Sequence, residues 1–143
     1  MKRGRDFTLF YGILNKCISI CFNILNVLLA GNLPPFATVR VIVEEQGQYL
    51  VIEYPTGSYS FPGGFVRWRE HPIQAAQREG KEETGLHLSI GNVLGYYADP
   101  SSSFDRINTL TIIFHAQVVG GELRGSIEGQ PRWVDELTAR GKM

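Results

Sequence analysis

The chain begins with a long apolar segment in which the few polar residues recur at helical spacing. Between Phe7 and Leu29 one residue, Lys16, carries a charge. The polar residues return every three or four positions, so they form one stripe of a helix opposite a broad apolar face. They are Thr8, Gly12, Asn15, Lys16, Ser19, Asn23 and Asn26. The pattern predicts an N-terminal amphipathic segment over residues 1–33, ending before Pro34 and Pro35.

Three roles for this helix remain open. Its basic start and its 23 apolar-rich residues from Phe7 to Leu29 resemble a signal peptide or a spanning anchor. A spanning helix does not need a polar stripe, whereas a helix that lies in a membrane interface or packs on protein does. We favour packing on its own domain or in a homodimer. Cys17 and Cys21 lie one turn apart in this segment, and we expect both to be small buried side chains in a reducing compartment.

Beyond Pro35 the pattern changes to short β-branched runs around one helix. Alternation predicts strands over Ala37–Glu45, Tyr49–Tyr54, Leu88–Ala98, Thr109–Val119 and Arg132–Val134, with a short extended piece at Ser60–Gly64. His71 and Pro72 mark the start of the helix, and Gly85 can end it in a left-handed conformation after Thr84. Strands around a central helix predict an α/β domain with a mixed sheet over residues 36–143.

Composition narrows the class of protein. The 143 residues suit one such domain, and an apolar fraction of 43% with 11% aromatic residues excludes a disordered chain. The 14 basic and 14 acidic residues balance, so no overall field attracts nucleic acid or acidic membranes. We therefore expect no nucleic-acid partner.

Three carboxylates share one face of the central helix. Glu79, Glu82 and Glu83 fall within an arc of about 100°, and Arg78 lies one turn before Glu82. Like charges at this spacing repel, so solvent and nearby basic side chains must compensate them, or a hard divalent cation such as Mg²⁺ or Mn²⁺ must do so.

The whole segment Gly64–Leu86, GFVRWREHPIQAAQREGKEETGL, resembles the Nudix box, G-x5-E-x7-R-E-U-x-E-E-x-G-U, where U is aliphatic. The matching residues are Gly64, Glu70, Arg78, Glu79, Glu82, Glu83, Gly85 and Leu86. Gly80 departs from the aliphatic residue of the motif. It lies on the face of Ile73 and Ala76, where we expect core. Glycine there lowers helix propensity by about 1 kcal/mol and allows closer contact with the sheet.

The resemblance implies a Nudix-like α/β/α sandwich with an extra N-terminal apolar helix. It also implies a hydrolase that cleaves the phosphoanhydride bond of a nucleoside diphosphate linked to another group, with Mg²⁺ or Mn²⁺ as cofactor. By likeness, Glu79 and Glu83 are metal ligands, Glu82 is a direct or water-mediated one, and the carbonyl of Gly64 or Gly63 adds another. Arg78 orients the catalytic carboxylates Glu79 and Glu82. Glu70 supports the loop behind them.

Further roles stay open within this resemblance. The general base is Glu79 or a carboxylate outside the box, with Asp105, Glu122 and Glu128 as candidates. Arg67, Arg69 and Arg40 are candidate substrate-binding residues; many relatives carry an acidic residue and a glycine in place of Arg67 and Arg69. The aromatic side chains that could stack on a base are Tyr59, Phe61, Trp68 and Phe104. The residues do not identify the substrate.

The partners follow from these expectations. We expect a small nucleotide substrate and a cytoplasmic protein, with a homodimer or membrane association through residues 7–29. Many relatives continue into a further helix after the position of Leu137. We expect none here, which leaves that flank to the N-terminal segment or a dimer contact. The alternatives are a non-catalytic nucleotide-sensing module and a membrane-associated interaction protein.

Overall fold

The structure, a computed structural model, describes residues 3–101 and 103–143, with side chains from Gly12 onward. The chain divides into two compact units. One holds the residues up to Phe36 together with Ala98–Leu110, and the other holds Ala37–Tyr97 together with Thr111–Met143. The helices are α1 (Arg3–Leu28), α2 (Pro72–Thr84) and α3 (Glu136–Lys142), and the strands are β1 (Phe36–Glu45), β2 (Gln48–Glu53), β3 (Tyr59–Ser60), β4 (Gly63–Phe65), β5 (Leu86–Asp99), β6 (Thr109–Gly121) and β7 (Gln130–Asp135).

One sheet contains all seven strands. Its main order is β3-β2-β1-β6-β5, with β4 paired to β1 and β7 paired to β2. The predicted hairpin is confirmed, since β1 and β2 run antiparallel with Glu44 opposite Tyr49. β4 lies antiparallel to β1 and places Gly63 opposite Arg40. The α/β class and a sheet flanked by helices are confirmed.

The main core lies between α2 and the sheet. Alternate residues of β1, namely Val39, Val41 and Val43, are fully buried, and α2 turns Ala75 and Ala76 onto them. Gly80 is also buried, and a Cβ atom there would stand 2.5 Å from Leu88 Cδ1. The glycine that departs from the Nudix motif therefore permits close contact between helix and sheet.

A C-terminal helix is present where none was expected, so that expectation is wrong. α3 begins after Asp135, whose side chain accepts the Thr138 backbone N–H at 2.8 Å, and it buries Ala139 against Val51 and Val134. Seven residues give too few turns for hydrophobic periodicity to predict a helix. Its detectable signal is the capping aspartate. α3 therefore covers this flank of β2 and β7.

The predicted N-terminal helix is present, and its polar stripe packs against the 98–110 segment. Ser19 is buried, and Asn23 Nδ2 donates to the carbonyls of Phe104 at 3.0 Å and Arg106 at 2.7 Å. The Phe22 and Phe36 rings lie 4.7 Å apart. Positions before Gly12, including Thr8, lie outside the described side chains.

The apolar side chains of α1 remain exposed, including Ile13, Ile18 and Ile24. Cys17 and Cys21 were expected to be buried, which is wrong, because both are exposed. Among the described residues, no helix has the length and hydropathy needed to cross a membrane.

Candidate active site

Both ends of α2 are fixed by local sequence signals. His71 caps the N-terminus: its Nδ1 accepts the Ile73 N–H at 3.3 Å, and Gln74 Oε1 accepts the His71 N–H at 3.0 Å. Gly85 ends the helix with φ +77°, in the left-handed region that glycine adopts without strain, and its N–H donates to the Lys81 carbonyl. These two ends fix where α2 begins and ends, and the burial of Ala75, Ala76 and Gly80 fixes which of its faces meets the core.

Arg78 joins the carboxylates to the preceding loop. Its Nε and Nη2 donate to the two oxygens of Glu70 at 2.7 and 2.9 Å, and Nη2 also donates to the Phe65 carbonyl at 3.0 Å. Nη1 donates to Glu79 Oε1 at 2.6 Å and reaches Glu82 Oε2 at 3.4 Å. The hydrogen bond from Arg78 is the main cause that lowers the pKa of Glu70 to about 2. Glu70 therefore stays ionised and anchors the guanidinium that orients Glu79.

Glu83 is the buried carboxylate of the group. Its side chain points inward with 4% of the residue exposed, and its Oε2 accepts the Gly63 backbone N–H at 2.8 Å. The pKa of Glu83 is raised to about 7, chiefly by burial and also by the negative charges of Glu79 and Glu128, while the Gly63 N–H and the Arg40 charge oppose the shift. The positive charge near Glu83 therefore does not balance the negative charges of Glu83, Glu79 and Glu128.

The two glycines before the loop make room for these carboxylates. A Cβ atom on Gly64 would stand 2.6 Å from Glu79 Oε1, and one on Gly63 would collide with the Val39 carbonyl. Arg40 Nη1 donates to the Gly63 carbonyl at 2.9 Å. The contact between the Gly63 amide and Glu83 was not anticipated from the sequence, although the paired glycines were a signal of close backbone approach.

The loop between β4 and α2 carries exposed basic and aromatic side chains. Arg67 Nη2 lies 3.4 Å from Glu82 Oε1, and both side chains are more than half exposed. Trp68 is 89% exposed, and the Arg69 guanidinium lies 6.0 Å from its ring centroid. Arg69 has a φ of +62°, a left-handed conformation that is strained for arginine. Tyr59, in contrast, is buried in a smaller core with Val51, Val134 and Ala139, and Phe61 packs against that core.

The three outside carboxylates lie in different surroundings. Glu128 acts electrostatically on Glu83. Glu122 instead places its backbone carbonyl against Gly85. Asp105 belongs to the unit that contains α1, where it accepts from Ser103 Oγ at 2.5 Å and its pKa is lowered mainly by that bond.

The loop that bears Glu128 is tied to the end of α2. The Arg124 N–H donates to the Thr84 carbonyl at 2.7 Å, and Ser126 Oγ accepts the Glu128 N–H at 3.1 Å. The Ser126 N–H also bonds the Gly129 carbonyl at 3.1 Å. These contacts fix a tight turn and with it the backbone of Glu128.

The carboxylates offer suitable donors for a hard divalent cation. Within residues 3–101 and 103–143, no three acidic, histidine or cysteine side chains are already gathered closely enough to form a metal site. The donor types nevertheless fit Mg²⁺ or Mn²⁺, since Glu79, Glu82 and Glu83 present carboxylate oxygens from one helix. In the described part of the chain, Glu83 has no cationic side chain within ion-pair distance. The residues present therefore fit the cation that the resemblance implies.

Comparison with known proteins agrees with this geometry. The model of the NUDIX domain family matches residues 34–139. An ADP-ribose pyrophosphatase of Methanocaldococcus jannaschii is 36% identical over 96 residues, covering 64% of this chain and 56% of that protein, so this chain spans little more than half of that relative's length. A MutT-like protein of Streptomyces ambofaciens is 29% identical over 114 residues, covering 75% of this chain and 71% of that protein.

A solved structure shares the fold as well. A NUDIX hydrolase from Nitrosomonas europaea superposes with a TM-score of 0.67 at 28% identity, covering 76% of this chain and 78% of that one. Because the family model matches residues 34–139, which are most of the chain, the chain belongs to the Nudix family.

Proposed function

We propose that this protein is a hydrolase that cleaves the phosphoanhydride bond of a nucleoside diphosphate linked to another group, with Mg²⁺ or Mn²⁺. The observation that carries the proposal is Glu83, a buried carboxylate held by the Gly63 amide and surrounded by further negative charge. Burying such a charge is unfavourable unless a cation compensates it. The M. jannaschii relative is an ADP-ribose pyrophosphatase, which supports this class of substrate.

The residues around the carboxylates have positioning roles. When bound, the cation supplies charge neutralisation on the diphosphate and a water of lowered pKa. Arg78 holds Glu79 by a 2.6 Å hydrogen bond, and Glu70 holds Arg78 from the other side. The Gly63 amide holds Glu83. This pre-organisation fixes the carboxylate oxygens that would hold the cation.

We assign the general base to Glu128 in preference to Asp105, Glu122 and Glu79. Glu128 is the outside carboxylate whose charge is felt by Glu83, and its turn is bonded to the end of α2. Glu79 already accepts a 2.6 Å hydrogen bond from Arg78, so one of its oxygens is engaged. The Glu128 carboxylate would take the proton from the attacking water as the oxygen approaches phosphorus.

We assign substrate contacts to the loop before α2. Arg67 lies at the exposed edge of the site beside Glu82, where its guanidinium can meet a phosphate oxygen. Trp68 offers an exposed ring for stacking. Arg40 is engaged with the Gly63 carbonyl, so we assign it to holding the glycine turn rather than to the substrate.

A substrate panel tests the proposal. ADP-ribose, a UDP-sugar, a dinucleoside polyphosphate and a nucleoside triphosphate are incubated with Mg²⁺ or Mn²⁺, and the phosphate-bearing products are identified. We expect metal-dependent turnover that rises towards alkaline pH, and a loss of about 100-fold or more in Glu79→Gln. Glu45→Gln, an exposed carboxylate at the end of β1, is the matched control. Turnover in excess chelator, or full activity in Glu79→Gln, would contradict the proposal; binding without turnover would indicate a nucleotide-sensing module.

A further inference from the structure

Helix α1 turns its polar side towards protein and its apolar side outwards. Asn23 donates to two backbone carbonyls of the 98–110 segment, and Asn26 Oδ1 accepts the Leu33 N–H at 3.0 Å. Ser19, on the same stripe, is buried and donates to the Asn15 carbonyl. A surface helix in an aqueous protein has the opposite arrangement. The outward face must therefore meet an apolar environment.

The outward face is continuous and wide. Its exposed large apolar residues are Ile13, Leu14, Ile18, Ile20, Ile24, Leu25, Val27, Leu28 and Leu29, and Cys17 and Cys21 lie among them. At 100° per residue these positions cover an arc of about 200°. One partner helix covers a narrower seam of roughly 100°. An apolar medium can cover the whole arc, whereas a second copy of α1 would leave about half of it in water.

Charge is distributed unevenly along the sequence in a way that matches an anionic surface. The first 36 residues carry four basic side chains, Lys2, Arg3, Arg5 and Lys16, and one acidic side chain, Asp6. The whole chain is balanced at 14 of each sign, so positive charge is concentrated at this end of the sequence. Lys16 is exposed and, by its helical position, borders the apolar arc, where its stem can lie along apolar groups and its ammonium can reach lipid headgroups.

The 98–110 segment, which packs on the polar side of α1, limits how deeply the helix can enter an apolar medium. The 103–106 loop that accepts from Asn23 carries Asp105 and Arg106, and both are exposed. Charged side chains at that position require water. The polar side of the helix therefore stays at the aqueous boundary.

We propose that the apolar face of α1 docks into the interfacial layer of an anionic lipid bilayer, with the helix parallel to the surface. Insertion of Ile18, Ile24 and their neighbours removes apolar area from water, and the basic side chains bind the headgroups. This inference is independent of the proposed hydrolase activity, because none of its residues belongs to the candidate active site.

The two natural cysteines provide the probe. In the full chain, Cys17→Ser leaves Cys21 for a polarity-sensitive fluorophore on the apolar face, and vesicles of phosphatidylcholine with phosphatidylglycerol are compared with phosphatidylcholine alone. We expect a blue shift, protection from an aqueous quencher, and co-sedimentation with the anionic vesicles, all reduced by high salt. Replacing both Ile18 and Ile24 by Asp should weaken binding by about 10-fold or more. Leu137→Asp, at an exposed apolar side chain of α3, should bind normally.

Three outcomes would overturn the proposal. One is the absence of co-sedimentation with either vesicle by the full chain. Another is equal binding of Leu137→Asp and the Ile18, Ile24 double variant, since the apolar face would then not be the contact. The third is a stable dimer in light scattering that the double variant converts to monomer, because a second copy would then cover the face. Circular dichroism of each variant establishes that α1 is retained.

Discussion

Replacing Glu83 by Gln should stabilise the metal-free protein while abolishing its activity. The pKa of Glu83 is raised from 4.5 to about 7, chiefly by burial, so the folded state binds this proton more tightly than the unfolded state does. Ionisation of the group therefore opposes folding. Its cost is absent below about pH 4.5, grows between the two pKa values, and is complete above pH 7. With 1.36 kcal/mol per pKa unit, the upper bound is roughly 3 kcal/mol.

Glutamine removes that cost and keeps an oxygen for the Gly63 amide. In excess chelator at pH 8, we expect the free energy of unfolding of Glu83→Gln to exceed that of the parent by roughly 1–3 kcal/mol, and the difference to vanish towards pH 4.5. Urea unfolding followed by circular dichroism measures it. Glu82→Gln is the matched control, because the Glu82 side chain is 51% exposed and does not accept the Gly63 amide.

Added metal should reverse the order of stability. A cation that binds the native carboxylates stabilises the parent by mass action, and Glu83→Gln should gain much less from it. Turnover of Glu83→Gln should fall by about 100-fold or more even at saturating metal. If the variant were less stable than the parent at pH 8 without metal, then ionised Glu83 would not destabilise the fold. If Mn²⁺ raised the unfolding free energy of the variant as much as that of the parent, then Glu83 would not be a metal ligand.

Other substitutions test separate parts of the structure. Gly80→Ala should lower the unfolding free energy by up to about 2 kcal/mol, because overpacking against Leu88 costs about 1–3 kcal/mol and the gain in helix propensity offsets about 1 kcal/mol of it. A Leu88→Val background should reduce the loss, and a net stabilisation larger than the propensity gain would disprove the clash. Arg69→Gly should raise the unfolding free energy by about 1 kcal/mol by relieving the left-handed backbone, and an unchanged denaturation midpoint would mean that the position is not strained. Glu128→Gln should lower kcat by about 100-fold, whereas Asp105→Asn should leave kcat intact; equal effects would reject the assignment of the base.

The features that local sequence determines were predicted well. The boundaries of α2 follow from a capping histidine, a proline and a terminal glycine, all within one turn of the helix ends. The β1–β2 hairpin follows from alternation around Gln46 and Gly47, which both have positive φ. Because the box glutamates lie on that helix, their common face was also predictable.

Contacts between distant residues were not predictable. The Gly63 amide and the Glu83 carboxylate are 20 positions apart, and the bond between them depends on how β4 packs on α2. Periodicity located the polar stripe of α1, yet it does not state which side faces protein. The cysteines were misassigned for that reason, since Cys17 and Cys21 belong to the face that points outwards.

Gly85 connects the end of α2 with a loop almost forty residues later. A Cβ atom at this position would collide with the Glu122 carbonyl and stand 3.1 Å from the Arg124 backbone nitrogen, which bonds Thr84. Any larger residue would displace the stretch that leads to Glu128. A substitution at Gly85 would thus resemble an active-site mutation in a kinetic screen, although Gly85 contributes no side chain to the candidate active site. Inherited variation at this glycine and at the loop from Glu122 to Glu128 is accordingly expected to be correlated, with a change at one tolerated when the other compensates.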